Sequence, residues 1–472
     1  MTIIAERASV ITHDLPLRPL APPPPYRPAA EPQSRRAAAW FAIFALYAGG
    51  VAVFSGPGHD RSWGIWASFG YATAAVLAAA WPTRRGRLSA LAASLAGALA
   101  APVVWLATRA TATPDVAVVT RSGAMLLHHG SPYLPLSQLA HGGFLAYNPY
   151  LPVMAVFGLP RALGVPGLAG DPRPWLAVAT FLLLAAAFRV ALGERAWTGR
   201  SLRLAALAVA SPVLAFPLAE GITDPPVLAL TCLALALLAG PARPWAGPAR
   251  AWAGPARSAA RPGAWLAPGA CAAAVTIGVA CAMKYTAWPA VAVLAAMVAA
   301  RDGARSAARF AATAVAAAAV LTAGLAPAAM AAPAALIQNT LAYPLGLTRV
   351  RTPAQSPLPG HLLATLGPAG HLAAIMLLIA AGLGIAASLV TRPPADGAAA
   401  ARRLALGLAL MFALSPATRF GYFAYPAGLY GFLALTGHAT RPGRLVPLTK
   451  AAADSVRSWL SRRALLGEQA RT

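Results

Sequence analysis

Residues 371–390 read HLAAIMLLIAAGLGIAASLV, a run that contains no Asp, Glu, Lys or Arg. A helix that crosses a bilayer needs about 20 predominantly apolar residues, and this run supplies them. Comparable apolar segments recur along most of the chain, and some are short enough to be broken or tilted. The sequence therefore predicts an all-α polytopic membrane protein with about 12 transmembrane helices (11–13), at residues 37–54, 63–82, 88–108, 175–193, 202–219, 226–240, 265–283, 286–300, 308–326, 371–390, 404–418 and 421–437.

The composition excludes a soluble enzyme. The 472 residues are 58% hydrophobic and only 11% charged, whereas soluble domains carry about 25% charged residues. The three cysteines lie in apolar runs without CxxC spacing, so we expect neither a disulfide framework nor a zinc site. The chain also lacks HExxH, P-loop and GxSxG motifs, so we predict no metal site and no cofactor, and leave a dependence on divalent metal open.

The basic residues predict the orientation in the membrane. If the N-terminus is cytoplasmic, 28 of the 38 Lys and Arg residues fall in cytoplasmic segments, as the positive-inside rule requires. The net charge of +25 is thereby explained without a nucleic-acid partner. We therefore expect a plasma-membrane protein with both termini cytoplasmic, a disordered tail at 1–36, a transmembrane domain at 37–437 and a basic tail at 438–472. Segment 147–164 is interrupted by prolines and is interpreted as re-entrant or interfacial.

Two segments on the predicted extracytoplasmic side, 109–174 and 327–370, are too long to be simple turns. They concentrate polar and aromatic residues, and we expect them to carry interfacial helices. The first segment and the last predicted helix contain groups able to bind a sugar or an acceptor: His128, His129, Tyr133, Tyr147, Asn148, Tyr422 and Tyr425. Any chemistry is therefore expected on this side of the membrane.

Asp115 is the only acid between Asp60 and Asp171. It could cap the helix that starts near Val116, or it could act as a general base toward a hydroxyl group. Both interpretations fit its position after segment 88–108.

A second acidic pair, Glu220 and Asp224, is spaced i, i+4 and would share a helix face, where two like charges repel each other. It is either a solvated helix end or part of an acceptor site.

Lys284 is the only lysine before Lys450. It could be a snorkelling side chain, or a point charge for a phosphate group. Arg349, Arg351 and Arg419 accompany it on the predicted outer side, against the positive-inside trend. Cations in such positions favour an anionic ligand, although lipid headgroups would satisfy them equally.

The order of short motifs resembles the GT-C superfamily of integral-membrane glycosyltransferases, and especially the actinobacterial polyprenol-phosphate-mannose-dependent mannosyltransferases. The resemblance covers about residues 40–437. It rests on an Asp after an early span and on short motifs at Gly130-Ser131-Pro132-Tyr133, Tyr147-Asn148-Pro149, Gly221 to Pro225, Lys284, Ser415-Pro416, Arg419, Tyr422 and Tyr425-Pro426.

The resemblance implies an inverting transfer of a sugar, mannose or another hexose or pentose, from a polyprenyl-phosphate donor to an extracytoplasmic hydroxyl of a lipid or glycan. It makes Asp115 the general base and places Lys284 and Arg419 at the donor phosphate. A transporter or flippase for a lipid-linked or anionic substrate is the main alternative, and a structural assembly partner is another. A single outward cavity containing Asp115, Lys284 and Arg419 would favour the enzyme.

Overall fold

The computed structural model describes residues 31–440 except 57, 110 and 241–265. In these residues the regular structure is helical, and the single β-bridge joins Gln355 to Thr418. Short 3-10 and π segments interrupt or join the α-helices, most notably at 96–100 and 152–158. The α-helices are α1 (Glu31–Phe54), α2 (His59–Ala80), α3 (Arg84–Leu95), α4 (Ala101–Thr108), α5 (Pro114–His129), α6 (Leu136–His141), α7 (Leu159–Ala162), α8 (Gly167–Gly170), α9 (Pro172–Ala191), α10 (Gly199–Ala210), α11 (Pro212–Glu220), α12 (Asp224–Ala239), α13 (Pro268–Met283), α14 (Trp288–Asp302), α15 (Ala304–Leu325), α16 (Pro327–Ala331), α17 (Pro333–Ile337), α18 (Pro359–Ala364), α19 (Pro368–Thr391), α20 (Gly397–Leu414) and α21 (Ala424–Thr440).

Seven helical segments of the described chain are long and apolar enough to cross a membrane, which makes this a multi-pass membrane protein. They are 33–54, 59–80, 84–108, 172–191, 304–325, 368–391 and 397–414. Helices α10 and α11 form an eighth candidate, bent by 70°, where the proline that begins α11 cannot donate a backbone hydrogen bond. The other predicted spans correspond to α12, α13, α14 and α21, which have only 15–17 residues. The all-α prediction is thus confirmed, seven or eight spans are supported by the length and apolarity of the described helices, and the count of about twelve stays a prediction.

Both predicted boundaries of the transmembrane domain lie within helices. Helix α1 begins at Glu31, before the predicted boundary at 36/37, and α21 continues to Thr440, beyond the predicted boundary at 437/438. Residues 1–30 and 441–472, which make up most of both tails, lie outside the described part of the chain. Segment 147–164 contains only a 3-10 helix at 152–158 and the short α7, and neither is long enough to cross a bilayer.

The centre of the molecule is α12. Its sequence is apolar on all sides, as expected for a helix that is surrounded by other helices, and nearly all of its residues are buried. Helices α9, α13, α20 and α21 pack around it. By contrast, α19 exposes many large apolar side chains, as a lipid-facing helix does. The burial of α12 places its first residue, Asp224, inside the protein.

The segment that follows α4 folds back over the helix ends. Helix α5 packs against the 3-10 helix at 152–158, and this contact depends on two glycines. A Cβ atom on Gly123 would collide with the backbone of Gly158, and one on Gly158 would collide with the backbone of Val119. This close approach holds the residues just before 152 against the first turns of α5.

Candidate functional site

A cavity of about 70 Å³ opens beside the N-terminus of α5. This volume is smaller than the about 300–1,000 Å³ of typical small-molecule sites. Three charged side chains that the sequence singled out, Asp115, Lys284 and Arg419, line this cavity. Apart from Thr352, the rest of the wall is apolar or aromatic and is formed by Pro114, Val118, Phe144, Leu145, Tyr147, Pro149, Tyr150, Tyr285, Tyr343, Pro344, Pro353, Ala354, Ala417 and Tyr422.

Asp115 is not the N-cap of α5. That role belongs to Thr113, whose Oγ1 accepts a hydrogen bond from the backbone N–H of Val116 at 3.3 Å. The same hydroxyl donates to the backbone carbonyl of Glu220 at 2.8 Å, which ties α5 to the end of α11. Asp115 lies in the first helical turn after Pro114, with its residue only 8% exposed. Its carboxylate is therefore free of the capping role and lines the cavity.

Two side chains hold the Asp115 carboxylate. The phenol of Tyr150 donates to its Oδ1, and Nη1 of Arg419 lies 3.4 Å from its Oδ2. Burial, and then the charge of Asp115, raise the pKa of Tyr150 well above its ordinary value, so this phenol remains a hydrogen-bond donor at neutral pH. The side chain of Arg419 is 33% exposed, which leaves part of its guanidinium available to a second anion.

Lys284 lies at the break between two helices. It follows α13 in an extended conformation, and a 3-10 turn at 285–287 leads into α14. Its Nζ lies 2.5 Å from Asp224 Oδ1 and 3.4 Å from Thr223 Oγ1. The residue is 4% exposed, so it does not extend to the surface as a snorkelling lysine would.

The lysine also lies between two aromatic rings. Its Nζ is 5.4 Å from the ring centre of Tyr150 and 5.4 Å from that of Tyr422. These distances are within the range of cation–π attraction. The ammonium group is therefore fixed at the inner wall of the cavity by an acid and two rings.

The prediction that Glu220 and Asp224 share a helix face is wrong. Helix α11 ends at Glu220, Gly221 turns the chain with φ of 75°, and α12 begins at Asp224. A side chain on Gly221 would be strained at this φ and would also collide with Val116. The two carboxylates consequently take different partners, His59 for Glu220 and Lys284 for Asp224.

Tyrosine side chains line one wall of the cavity, and other tyrosines pack outside its lining. Tyr147 stacks on Tyr343 with ring centres 4.4 Å apart and planes 11° apart, and both rings line the cavity. Tyr133 donates to the backbone carbonyl of Tyr150 at 2.9 Å. Tyr425 lies behind the wall, with its hydroxyl 2.9 Å from that of Thr286. The Tyr147–Tyr343 pair thus gives the cavity a flat, rigid surface.

Asn148 has a structural position. Its Oδ1 accepts from the backbone N–H of Tyr150 at 3.1 Å, and its Nδ2 donates to the carbonyl of Pro132 at 3.2 Å. Its own backbone N–H donates to Asn339 Oδ1 at 2.7 Å. These bonds fix the segment that presents Tyr147 and Tyr150, so Asn148 orders the wall without lining it.

Several predicted residues lie away from the cavity. His128 and His129 are exposed in the last turn of α5, and Arg349 and Arg351 are also exposed. None of these four side chains, nor Glu220, forms part of the cavity lining.

Sequence reasoning also missed residues that do line it, above all Tyr150 and Tyr343. The signal for Tyr150 was its place directly after the Tyr147-Asn148-Pro149 motif. No local sequence signal marks Tyr343, which lines the cavity because the fold brings it next to Tyr147.

The chain matches no protein-family model, no curated protein and no solved structure. The site can therefore be interpreted only from its own chemistry. That chemistry is one carboxylate held by a phenol and an arginine, one lysine fixed by an acid, and a stacked aromatic wall. The combination suits a ligand with both an anionic group and an apolar or sugar-like face.

Proposed function

We propose that this protein is a membrane glycosyltransferase that moves a sugar from a polyprenyl-phosphate donor to a hydroxyl group of a lipid or glycan acceptor. The observation that most directly supports this proposal is that Asp115, Arg419 and Lys284 line one cavity although they come from distant parts of the chain. A base and two cations in one small space are what such a transfer needs. The stacked Tyr147–Tyr343 pair supplies a surface on which a sugar ring can lie.

The proposed reaction is a direct substitution at the anomeric carbon. The acceptor oxygen forms a bond to this carbon while its proton passes to the carboxylate of Asp115. The bond from the carbon to the phosphate oxygen breaks, and polyprenyl phosphate leaves with the electron pair. Attack from the face opposite to the leaving group inverts the anomeric centre. No cofactor is needed for this step, because the donor already carries an activated phosphate leaving group.

The two cations have different parts in this proposal. Arg419 is partly exposed and already close to Asp115, so it can bind the donor phosphate while it keeps the carboxylate oriented. Lys284 is buried and paired with Asp224, so it contributes a fixed positive charge at the inner end of the cavity. Charge on the leaving phosphate is stabilised most by groups that are preorganised before the reaction.

We further propose that the protein lies in the plasma membrane with both termini cytoplasmic and the cavity on the opposite side. The distribution of Lys and Arg supports this orientation. In this topology a lipid-linked donor reaches the cavity from the bilayer, and the acceptor hydroxyl comes from the cell envelope. Membrane-impermeant labelling tests the orientation in a variant without the native cysteines, with single cysteines placed at the exposed positions 128 and 349 and one placed at 250 as the opposite-side control. Labelling of 250 but not of 128 and 349 would contradict it.

One observation favours a transporter or flippase as the second candidate. The buried pair of Lys284 and Asp224 lies where α13 breaks and α12 begins, and transporters often place ionisable residues at such breaks. In that case the cavity would bind a lipid-linked or anionic substrate without chemistry.

The deciding experiment uses purified full-length protein, radiolabelled polyprenyl-phosphate sugars and a hydroxyl-bearing lipid acceptor. Formation of a glycosylated acceptor by the wild type, and its loss in Asp115→Asn, supports the transferase. Movement of intact donor between the leaflets of proteoliposomes, without any new glycosidic product, would reject the transferase in favour of the flippase.

A further inference from the structure

Three side chains outside the cavity converge at the ends of two helices. His59 and Asp60 begin α2, and Glu220 ends α11. One donor atom from each of them lies within 4.8 Å of the other two. Nδ1 of His59 is 2.8 Å from Asp60 Oδ1 and also contacts Glu220 Oε2. One imidazole nitrogen and two carboxylate oxygens therefore face a common point.

The packing of the two helices fixes this arrangement. One turn from the cluster, the ring of Trp63 in α2 lies 4.6 Å from the ring of Phe216 in α11. Trp63 is fully buried, and its indole N–H donates to the carbonyl of Ala98 at 2.8 Å. The helix ends that carry the three side chains are consequently held at a constant spacing.

Glu220 has an unsatisfied oxygen. The residue is only 2% exposed, and among the described residues its Oε1 has no hydrogen-bond partner. A buried polar atom without a partner is costly, and a buried charged one more so. His59 alone satisfies only the other oxygen of this carboxylate. The unpartnered oxygen leaves this carboxylate able to accept a further positively charged ligand.

We propose that His59, Asp60 and Glu220 bind a divalent transition-metal ion, with Zn²⁺ as the first choice and Mn²⁺ as the second. Mixed nitrogen and oxygen donors suit these ions, whereas Ca²⁺ and Mg²⁺ prefer oxygen donors alone. Zinc ligands lie about 2.0–2.2 Å from the ion, so neighbouring ligand atoms around a tetrahedral ion are about 3.4 Å apart. Nδ1 of His59 lies closer than this to an oxygen of each carboxylate. The ion would therefore take the place of the proton on Nδ1, and the carboxylates would move outward by up to about 1 Å.

The half-exposed side chains of His59 and Asp60 provide the route by which the ion enters. Glu220 provides the buried anchor, and both of its oxygens are then satisfied. No metal motif marks this site in the sequence, because the ligands come from two helices far apart in the chain.

The bound ion would have a positioning role. None of its three ligands lines the cavity, but the backbone carbonyl of Glu220 accepts the hydroxyl of Thr113, which caps the helix of Asp115. The turn after Glu220 also leads directly to Asp224, the partner of Lys284. A bound metal ion would thus fix the position of Glu220, the residue whose neighbours hold Asp115 and Lys284 in the cavity. This inference does not depend on the proposed transferase reaction.

Equilibrium dialysis of tag-free, metal-stripped full-length protein against Zn²⁺, and separately against Mn²⁺, tests the proposal. We expect one ion per chain and a higher thermal midpoint when the ion is bound, because a ligand that binds only the folded state stabilises it. His59→Gln, Asp60→Asn and Glu220→Gln should each weaken binding by at least about tenfold, since loss of a group that only hydrogen-bonds to a metal ligand already costs about that much.

Two control variants address non-specific binding. His141→Gln removes an exposed imidazole and Asp302→Asn a partly exposed carboxylate, both outside the cluster, and both variants should bind metal as the wild type does. Because the side chain of Asp60 is half-exposed, Asp60→Asn tests the site even if a change at buried Glu220 impairs folding. The proposal is overturned if the wild type binds neither metal, or if His59→Gln and Asp60→Asn bind as tightly as the wild type.

Discussion

Lys284 Nζ lies 2.5 Å from Asp224 Oδ1, and both residues are less than 5% exposed. The lysine that the sequence singled out as a phosphate-binding charge is therefore already paired inside the protein. Two opposite charges that are removed from water stabilise each other, but loss of either one leaves its partner unpaired. This pair connects the first residue of α12 to the residue that follows α13, and it fixes the inner wall of the cavity.

We first predict that Lys284→Met lowers the free energy of unfolding by about 3–5 kcal/mol, because Asp224 is left as an uncompensated buried charge. The double variant Lys284→Met with Asp224→Leu should recover much of this loss, since no charge then remains. Denaturant unfolding of the purified protein in detergent measures both effects. As a control, Asp302→Asn removes a partly exposed ion pair with Arg301 and should change stability by less than about 1 kcal/mol. Equal stability of Lys284→Met and wild type would show that the buried pair does not form.

We next predict that Arg419→Gln weakens donor binding by about 10- to 150-fold, the effect of losing one charge-assisted hydrogen bond of about 1.5–3 kcal/mol. Arg419 is the cavity cation with an exposed portion, so it should contact the donor phosphate directly. Binding of radiolabelled polyprenyl-phosphate sugar measures the change. Arg161→Gln, an exposed arginine outside the cavity lining, is the matched control and should bind donor normally.

The same assay separates the sequence hypothesis from the structure at Arg349 and Arg351. The sequence made both of them candidates for binding an anionic group, but both are exposed outside the cavity lining. We expect Arg349→Gln and Arg351→Gln to affect donor binding much less than Arg419→Gln does. A loss as large as that of Arg419→Gln would move the phosphate site toward the 343–354 segment.

A third prediction concerns Tyr150, which positions Asp115 through its phenol. Tyr150→Phe keeps the ring beside Lys284 but removes one hydrogen bond to a charged group, a loss of about 1.5–3 kcal/mol. We expect kcat to fall by about 10- to 150-fold, while KM for the donor changes little.

Tyr71→Phe provides the control for this prediction. It removes another buried phenol, which donates to the carbonyl of Ala210 at 2.7 Å, outside the cavity lining. This variant should lose stability without a selective effect on kcat. If Tyr150→Phe shows the same pattern as Tyr71→Phe, then Tyr150 is structural only.

Features that depend on local composition could be predicted from the sequence. Long apolar runs such as 371–390 identified helices, because length and hydropathy are local properties. Asp115, Lys284 and Arg419 were found because each is an unusual residue type for its surroundings. Shorter helices such as α12 and α14 were predicted as spans, but their length does not establish a crossing.

What the sequence did not predict depends on contacts between distant segments. The pairing of Lys284 with Asp224 and the approach of Tyr343 to Tyr147 require the folded arrangement. The i, i+4 interpretation of Glu220 and Asp224 was wrong because Gly221 ends one helix and turns the chain. Glycine followed by proline within four residues was a local signal of that break.

The last prediction tests Asp115 as the general base. Thr113 caps α5, so Asp115→Asn leaves the cap intact, and asparagine has nearly the same shape as aspartate. Its amide oxygen can still accept a hydrogen bond from Tyr150, but the amide cannot take up a proton from the acceptor hydroxyl. General-base catalysis contributes about 10²–10⁴-fold, so we expect turnover to fall by that factor while the thermal midpoint and donor binding stay close to wild type. Transfer from a lipid-phosphate sugar, measured with purified protein beside a thermal melt, provides both readouts.

The matched variant Asp171→Asn changes a buried carboxylate that is paired with Arg173 outside the cavity, and it should lower stability without a selective loss of turnover. Near-normal turnover in Asp115→Asn would remove this carboxylate from the chemistry and leave Asp224 as the acid nearest to the cavity's buried cation.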